Sequence, residues 1–198
     1  MKSLRKLLAD VVHYLTRNGF GSEKWKKRFA YFGEDAAISY PAKILGNETI
    51  SIGEKTVILD HSRMASFQIE GIKPQIHIGR NCYICSYFTI LNASSVVLGD
   101  DVLVASHVLI SSENHGMDPE SDLSYAAQPL QSSPVTIGDG CWIGEKACIL
   151  PGVNIGKKCI IGAGSVVTKS IPDYSIAVGN PARIIKKYDF EVHDWVKV

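Results

Sequence analysis

Six aliphatic residues, Ile137, Ile143, Ile149, Ile155, Ile161 and Val167, recur at intervals of six, and glycine follows four of them as Gly138, Gly144, Gly156 and Gly162. No helical period gives six. The spacing predicts an all-β chain wound as a parallel β-helix, with one short strand per hexapeptide and three strands per triangular coil. The coils stack at roughly 4.8 Å, so that every strand is paired above and below.

Weaker copies of the repeat precede this segment. Ile52-Gly53, Ile58 and Met64 read as one coil, Ile72, Ile78, Ile84 and Ile90 as the next, and Leu98-Gly99, Val104 and Ile110 as a third. At eighteen residues per coil, Leu98 should be answered near 116, yet Ile137 lies thirty-nine residues on. The excess, 113–134, is rich in Ser, Pro, Asp and Asn and has no period, so it must leave the prism as a loop. A loop of that length in a compact repeat fold is usually functional.

The ends read differently. Leu4, Leu7, Leu8, Val11, Val12 and Leu15 are spaced for one helix face, closed by Asn18-Gly19, and a second helical piece is expected from Glu23 to Phe32. Past Ala177-Val178-Gly179-Asn180-Pro181-Ala182, the stretch from Arg183 to Trp195 has the composition of a short terminal helix that caps the last coil. The expected organisation is an N-terminal helical segment over 1–40, the β-helix over 41–176, and a C-terminal cap over 177–198.

Charge is unevenly spread. Residues 1–28 hold eight Lys and Arg against Asp10 and Glu23, a balance of +6 within a chain of formal charge +1. Such a basic amphipathic start suits peripheral contact with an anionic membrane, and a solvated helix face is the competing reading. Leu7 to Val12 is too short to cross a bilayer and is interrupted by Asp10, so the expectation is a cytoplasmic protein. Five cysteines, an odd number, fit free thiols in a reducing compartment. Cys82, Cys141 and Cys159 each follow a repeat aliphatic by four places and read as core fillers, while Cys82 and Cys85 spell a C-x-x-C that lacks a second copy. Neither a metal nor a nucleic-acid partner is expected.

The loop opens Ser112-Glu113-Asn114-His115-Gly116. A histidine where a rigid coil gives way to a loop is fixed on one side and open to ligands on the other, which suits a general base.

The hexapeptides from Ile137 to Val167, Cys141-Trp142-Ile143-Gly144, Leu150-Pro151-Gly152-Val153, the run from Ile161 to Lys169, and Gly179-Asn180-Pro181-Ala182-Arg183 together resemble the hexapeptide-repeat acyltransferases of the galactoside and maltose O-acetyltransferase type. Asn114-His115-Gly116, the approach from Pro129-Leu130 to Pro134-Val135, and the tail from Lys186 to Trp195 resemble the branch that O-acetylates bacterial surface polysaccharides. The resemblance implies a left-handed β-helix, a homotrimer, and clefts between subunits that take acetyl-CoA and a saccharide acceptor. It implies that His115 deprotonates the acceptor hydroxyl, with Asn114 beside it. A backbone N–H, with Gly144 as candidate, receives the oxyanion. It places Trp142 along the pantetheine arm, Gly144, Glu145, Ala163, Thr168 and Lys169 along the cleft, and Arg183 and Lys186 near the phosphates. Where such enzymes hold an acceptor-binding Asn, this chain has Cys85, followed by Ser86 and Tyr87. Tyr87 is a candidate to stack on the sugar, and Asn92 is a weaker one.

Three other readings stay open: N-acetylation of an amino-sugar nucleotide by the same base and donor; a β-helix carbonic anhydrase, for which His77, His107 and His115 lack the close histidine pair; and a noncatalytic trimeric scaffold.

Overall fold

The computed structural model describes residues 23–69 and 71–198. The helix expected over 3–17, with most of the basic segment, lies outside the described residues. Three parallel stacks of short strands form the faces of the prism. The first face takes Tyr31–Phe32, Ile50–Ile52, Gln75–Ile78, Ser95–Leu98, Val135–Ile137 and Asn154–Ile155. The second takes Ala37–Ile38, Val57–Ile58, Tyr83–Ile84, Leu103–Val104, Trp142–Ile143, Ile160–Ile161 and Ser175–Val178. The third takes Lys43–Leu45, Arg63–Ser66, Thr89–Asn92, Leu109–Ser111, Cys148–Ile149 and Val166–Val167.

The period of six is explained by what points inward. Ile52, Ile58 and Met64, then Ile78, Ile84 and Ile90, then Leu98, Val104 and Ile110 are at most 1% exposed, as are Ile137, Ile143, Ile149, Ile155, Ile161 and Val167. Burying each such side chain is worth roughly 1.5–3 kcal/mol. Ile72 falls outside this set: it is 37% exposed and bridges Ile69 across a turn. The stack resumes in register across the long loop, with Val97 against Thr136 and Leu98 against Ile137. Corners close tightly. At Gly99 an added Cβ would lie 2.1 Å from Asp139 Oδ1, which accepts the Asp100 N–H at 2.8 Å.

Both ends depart from expectation. Helix α1 spans only Glu23–Lys26, and Tyr31–Phe32 is already a strand paired with Ser51 and Ile52, so the stack begins ahead of residue 41. Trp25, Phe29 and Phe32 pack edge to face, with centroids 4.8–5.9 Å apart, at this end. The expected C-terminal helix is replaced by two strands. Arg183–Asp189 runs antiparallel to Ser175–Val178, and Asp194–Lys197 pairs with Arg183–Asp189. The reason is the open edge of Ser175–Val178, whose backbone groups need partners. Ile184, Ile185 and Tyr188 suit a strand there, and Tyr188 meets Trp195 and Phe190 edge to face.

The loop is an ordered ribbon. Glu113–Asn114 pairs antiparallel with Gln131–Ser132, and the buried Gln128 side chain accepts from the Asp118 N–H at 3.0 Å and donates to Asp118 O at 2.9 Å. Among the described residues no helix is long and apolar enough to cross a membrane.

Candidate active site

The chain passes from first face to second to third in every coil, so the third face has two edges, and the candidate residues gather on both. At the second-to-third corner successive coils place Cys85-Ser86-Tyr87, Ala105-Ser106-His107, Gly144-Glu145-Lys146 and Gly162-Ala163-Gly164 one above another. The His107, Lys146 and Gly164 N–H groups donate to Ser86, Ser106 and Glu145 carbonyls. Beside this corner Trp142, half exposed, sits in an outward apolar row on the second face: Tyr83 opposes Leu103, Leu103 opposes Trp142, Trp142 opposes Ile160, and Ile160 opposes Ile176. The terminal hairpin extends that row, with Lys186 opposite Ile176 and Arg183 opposite Val178. An apolar wall thus ends in two cations.

The third-to-first corner carries the other group. Here the chain leaves Leu109–Ser111 for Asn114 and His115, both exposed, and two coils later leaves Val166–Val167 for Thr168 and Lys169, also exposed. Among the described residues the His115 side chain makes no hydrogen bond, and neither Glu113 nor Asp118 orients it.

One chain does not bring the two groups together. A six-residue side at about 3.3 Å per residue separates the corners by up to roughly 20 Å.

Several sequence expectations change. The Gly144 N–H is not available to an oxyanion, because it donates to Ile161 O at 2.8 Å. The glycine is explained by packing: a Cβ there would lie 2.6 Å from Ala163 N. The next N–H groups in each coil, those of Glu145 and Ala163, make no hydrogen bond among the described residues and lie at an exposed corner. Tyr87 cannot stack on a sugar, since one face lies 4.8 Å from the His61 ring and the other 4.6 Å from the His107 ring. Only its edge is free. Asn92 is fully buried, with its side chain spent on Gln75 O, Ser66 Oγ and Ser112 Oγ. Cys82 points into the core and Cys85 lies at the corner beyond the intervening strand, so C-x-x-C makes no joint site. Burial pushes the Cys85 thiol up, against a hydrogen bond from Ser106. His77, His107 and His115 stand on the first face and on two different corners, and no group of three or more His, Cys, Asp or Glu side chains gathers among the described residues.

A family model described as a hexapeptide repeat of succinyl-transferase matches residues 134–169. Over 166 residues the chain is 36% identical to the protein provisionally named lipopolysaccharide biosynthesis O-acetyl transferase WbbJ of Escherichia coli (strain K12), across 81% of this chain and 83% of that one. The chain is a hexapeptide-repeat acetyltransferase. This acyltransferase is also 42% identical over 123 residues to the galactoside O-acetyltransferase of Escherichia coli (strain K12), a match spanning 62% of this chain and 59% of the relative. A solved galactoside acetyltransferase in complex with coenzyme A matches the hexapeptide-repeat fold with a TM-score of 0.61 at 29% identity, over 93% of this chain and 81% of that one. A point mutant of AntD, an N-acyltransferase from Bacillus cereus in complex with dTDP-4-amino-4,6-dideoxyglucose and coenzyme A, gives a TM-score of 0.71 at 25% identity, over 86% and 90% of the two chains.

Proposed function

We propose that this acetyltransferase transfers acetyl from acetyl-CoA to a saccharide hydroxyl of a bacterial surface glycan or its precursor, in the cytoplasm, as a homotrimer of left-handed β-helices. The observation that carries the reading is the split of the candidate residues between the two edges of the third face. Three chains closed about an axis lined by their third faces set the second-to-third corner of one against the third-to-first corner of the next. That closure reunites His115, Thr168 and Lys169 of one chain with Trp142, Glu145, Ala163, Arg183 and Lys186 of its neighbour. It also covers the outward Leu91, Leu109 and Val166 of the third face.

In such a cleft the chemistry is direct transfer. His115 takes the proton of the acceptor hydroxyl as its oxygen attacks the thioester carbonyl, a role typically worth about 10² to 10⁴-fold. The oxyanion is received by the free N–H of Glu145 or Ala163. Its collapse expels the thiolate of coenzyme A, which recovers the proton from the imidazolium. The apolar wall at Trp142 suits the pantetheine arm, and the cations at its end suit the phosphates.

Oxygen is placed ahead of nitrogen because the relatives at 36% and 42% identity carry O-acetyl transfer in their names, against 25% for the N-acyltransferase structure. The test is incubation with acetyl-CoA and an array of bacterial oligosaccharides, following thiol release. Mild alkali should then free acetate from the product, since an ester yields and an amide does not. An alkali-stable product would assign N-acetylation, and failure to bind coenzyme A would leave only a scaffold.

A further inference from the structure

The second-to-third corner holds a row of rings with no part in the transfer described above. His61, Tyr87 and His107 occupy the same position in successive coils, at φ 57°, 62° and 60°. Their rings stack with centroids 4.8 and 4.6 Å apart and planes 19° and 5° apart. The next two coils put Lys146 and Gly164 at this position, at φ 58° and 67°. The left-handed region is costly for a bulky residue and free for glycine. Three consecutive coils nevertheless place a ring there, and all three rings are exposed.

The position of the row along the axis gives it a direction. Trp142, Ala163, Arg183 and Lys186 belong to the C-terminal coils, whereas Cys85 and the departure of the loop toward His115 lie in the middle coils. With coenzyme A running from the middle toward the C-terminal end, the rest of the acceptor has the N-terminal coils to follow. The row from His107 through Tyr87 to His61 lies on that path.

Because both faces of Tyr87 are covered, the row offers ring edges. His61 Nδ1 lies 2.7 Å from Asp60 Oδ2, and Asp60 also accepts from the Ser86 hydroxyl, which with His61 holds its carboxyl below the usual range against the opposing effect of burial. A neutral imidazole that donates to Asp60 leaves Nε2 as an acceptor. The Tyr87 hydroxyl donates and accepts, as does neutral His107. The one ammonium in line among the described residues, Lys146, is 3.9 Å from Glu145. A phosphate would meet a lone pair and two carboxylates, whereas sugar hydroxyls find alternating partners. Together the two ring steps run roughly 9 Å, comparable with a pair of linked pyranose rings.

We infer that the edges of His61, Tyr87 and His107 form a subsite for an uncharged glycan segment beyond the sugar that is acetylated, so that the substrate class is an oligosaccharide rather than a single sugar. The inference rests on the saccharide reading above. Its test compares kcat/KM for mono-, di-, tri- and tetrasaccharide fragments of one acetylated glycan, in the parent protein and in His61→Asn and His107→Asn. Asparagine tolerates the left-handed corner, so these variants keep the fold. The parent should gain about tenfold or more from mono- to trisaccharide, and each variant should lose most of that gain. Equal kcat/KM for mono- and trisaccharide in the parent overturns the subsite and leaves the saccharide reading standing. If no saccharide is acetylated, that reading fails, and titration of the parent decides the subsite. The imidazole signals of His61 and His107, assigned from the variants, must shift with tetrasaccharides of the array. No shift, or a shift with dTDP alone, overturns it.

Discussion

Ser112 donates its hydroxyl to the side-chain carbonyl of Asn92 at 2.7 Å, and both residues are fully buried. Ser112 Oγ also accepts the Ala93 N–H at 3.1 Å, while Asn92 Nδ2 donates to Gln75 O at 3.2 Å. This network fixes the place where the chain turns out of its coil toward His115. Replacing Asn92 by Ala strands buried polar groups, which should cost about 1–3 kcal/mol in urea unfolding. Turnover should fall more than affinity for coenzyme A, because the loop root moves and the outward row at Trp142 does not.

His115→Ala should leave thermal unfolding and coenzyme A binding near the parent values and lower kcat by about 10² to 10⁴-fold. The side chain is exposed and makes no hydrogen bond among the described residues, so its loss removes no contact that holds the chain. Near-parent kcat in steady-state assays would remove it from the mechanism.

The stack was readable because an inward aliphatic every six residues leaves a sequence trace that survives even where Met64 or Val104 stands for Ile. The terminal strands were not. Arg183 to Trp195 carries no period, and its strand form depends on an open edge that exists only once Ser175–Val178 is folded. Composition named Trp142 and Arg183 as site candidates, and their shared outward row follows from the strand register. Gly144 misled because a glycine required for close coil packing and one that admits a ligand look alike in sequence. The pairing of Asn92 with Ser112 joins residues twenty positions apart across a coil turn, and no local pattern announces it.

Gly144→Ala tests that distinction. Its Cβ would meet Ala163 N at 2.6 Å and Ile161 O at 2.7 Å, both main-chain atoms of the next coil. Overpacking of this kind should cost about 1–3 kcal/mol. Calorimetry should report a lowered Tm, whereas a glycine kept only to admit a ligand would give parent stability and weakened coenzyme A binding.

The five cysteines are free, and Cys82, Cys141 and Cys159 are buried. Burial pushes the Cys82 thiol up, and a hydrogen bond with Cys159 together with burial raises that of Cys141. The thiolate is the reactive form. At pH about 8 the folded protein should therefore show no fast reaction at these three sites with a disulfide reagent, and all five should react after unfolding in guanidinium. Mass mapping that finds Cys82 labelled in the folded protein would contradict the core placement.

Subunit mixing separates a shared cleft from one built within a chain. His115 and Lys169 stand on one edge of the third face, and Arg183 belongs with the other. In trimers mixed from His115→Ala and Arg183→Ala chains, a cleft is intact when the first variant supplies the second-to-third corner and the second variant supplies the loop. Random assembly makes about one quarter of clefts intact. Mixing His115→Ala with Lys169→Ala restores none, because each third-to-first corner then lacks one residue or the other. The expected result is recovery of about a quarter of parent kcat in the first mixture and none in the second. Recovery in neither mixture would place the whole site within one chain, and recovery in both would separate Lys169 from the edge that carries His115.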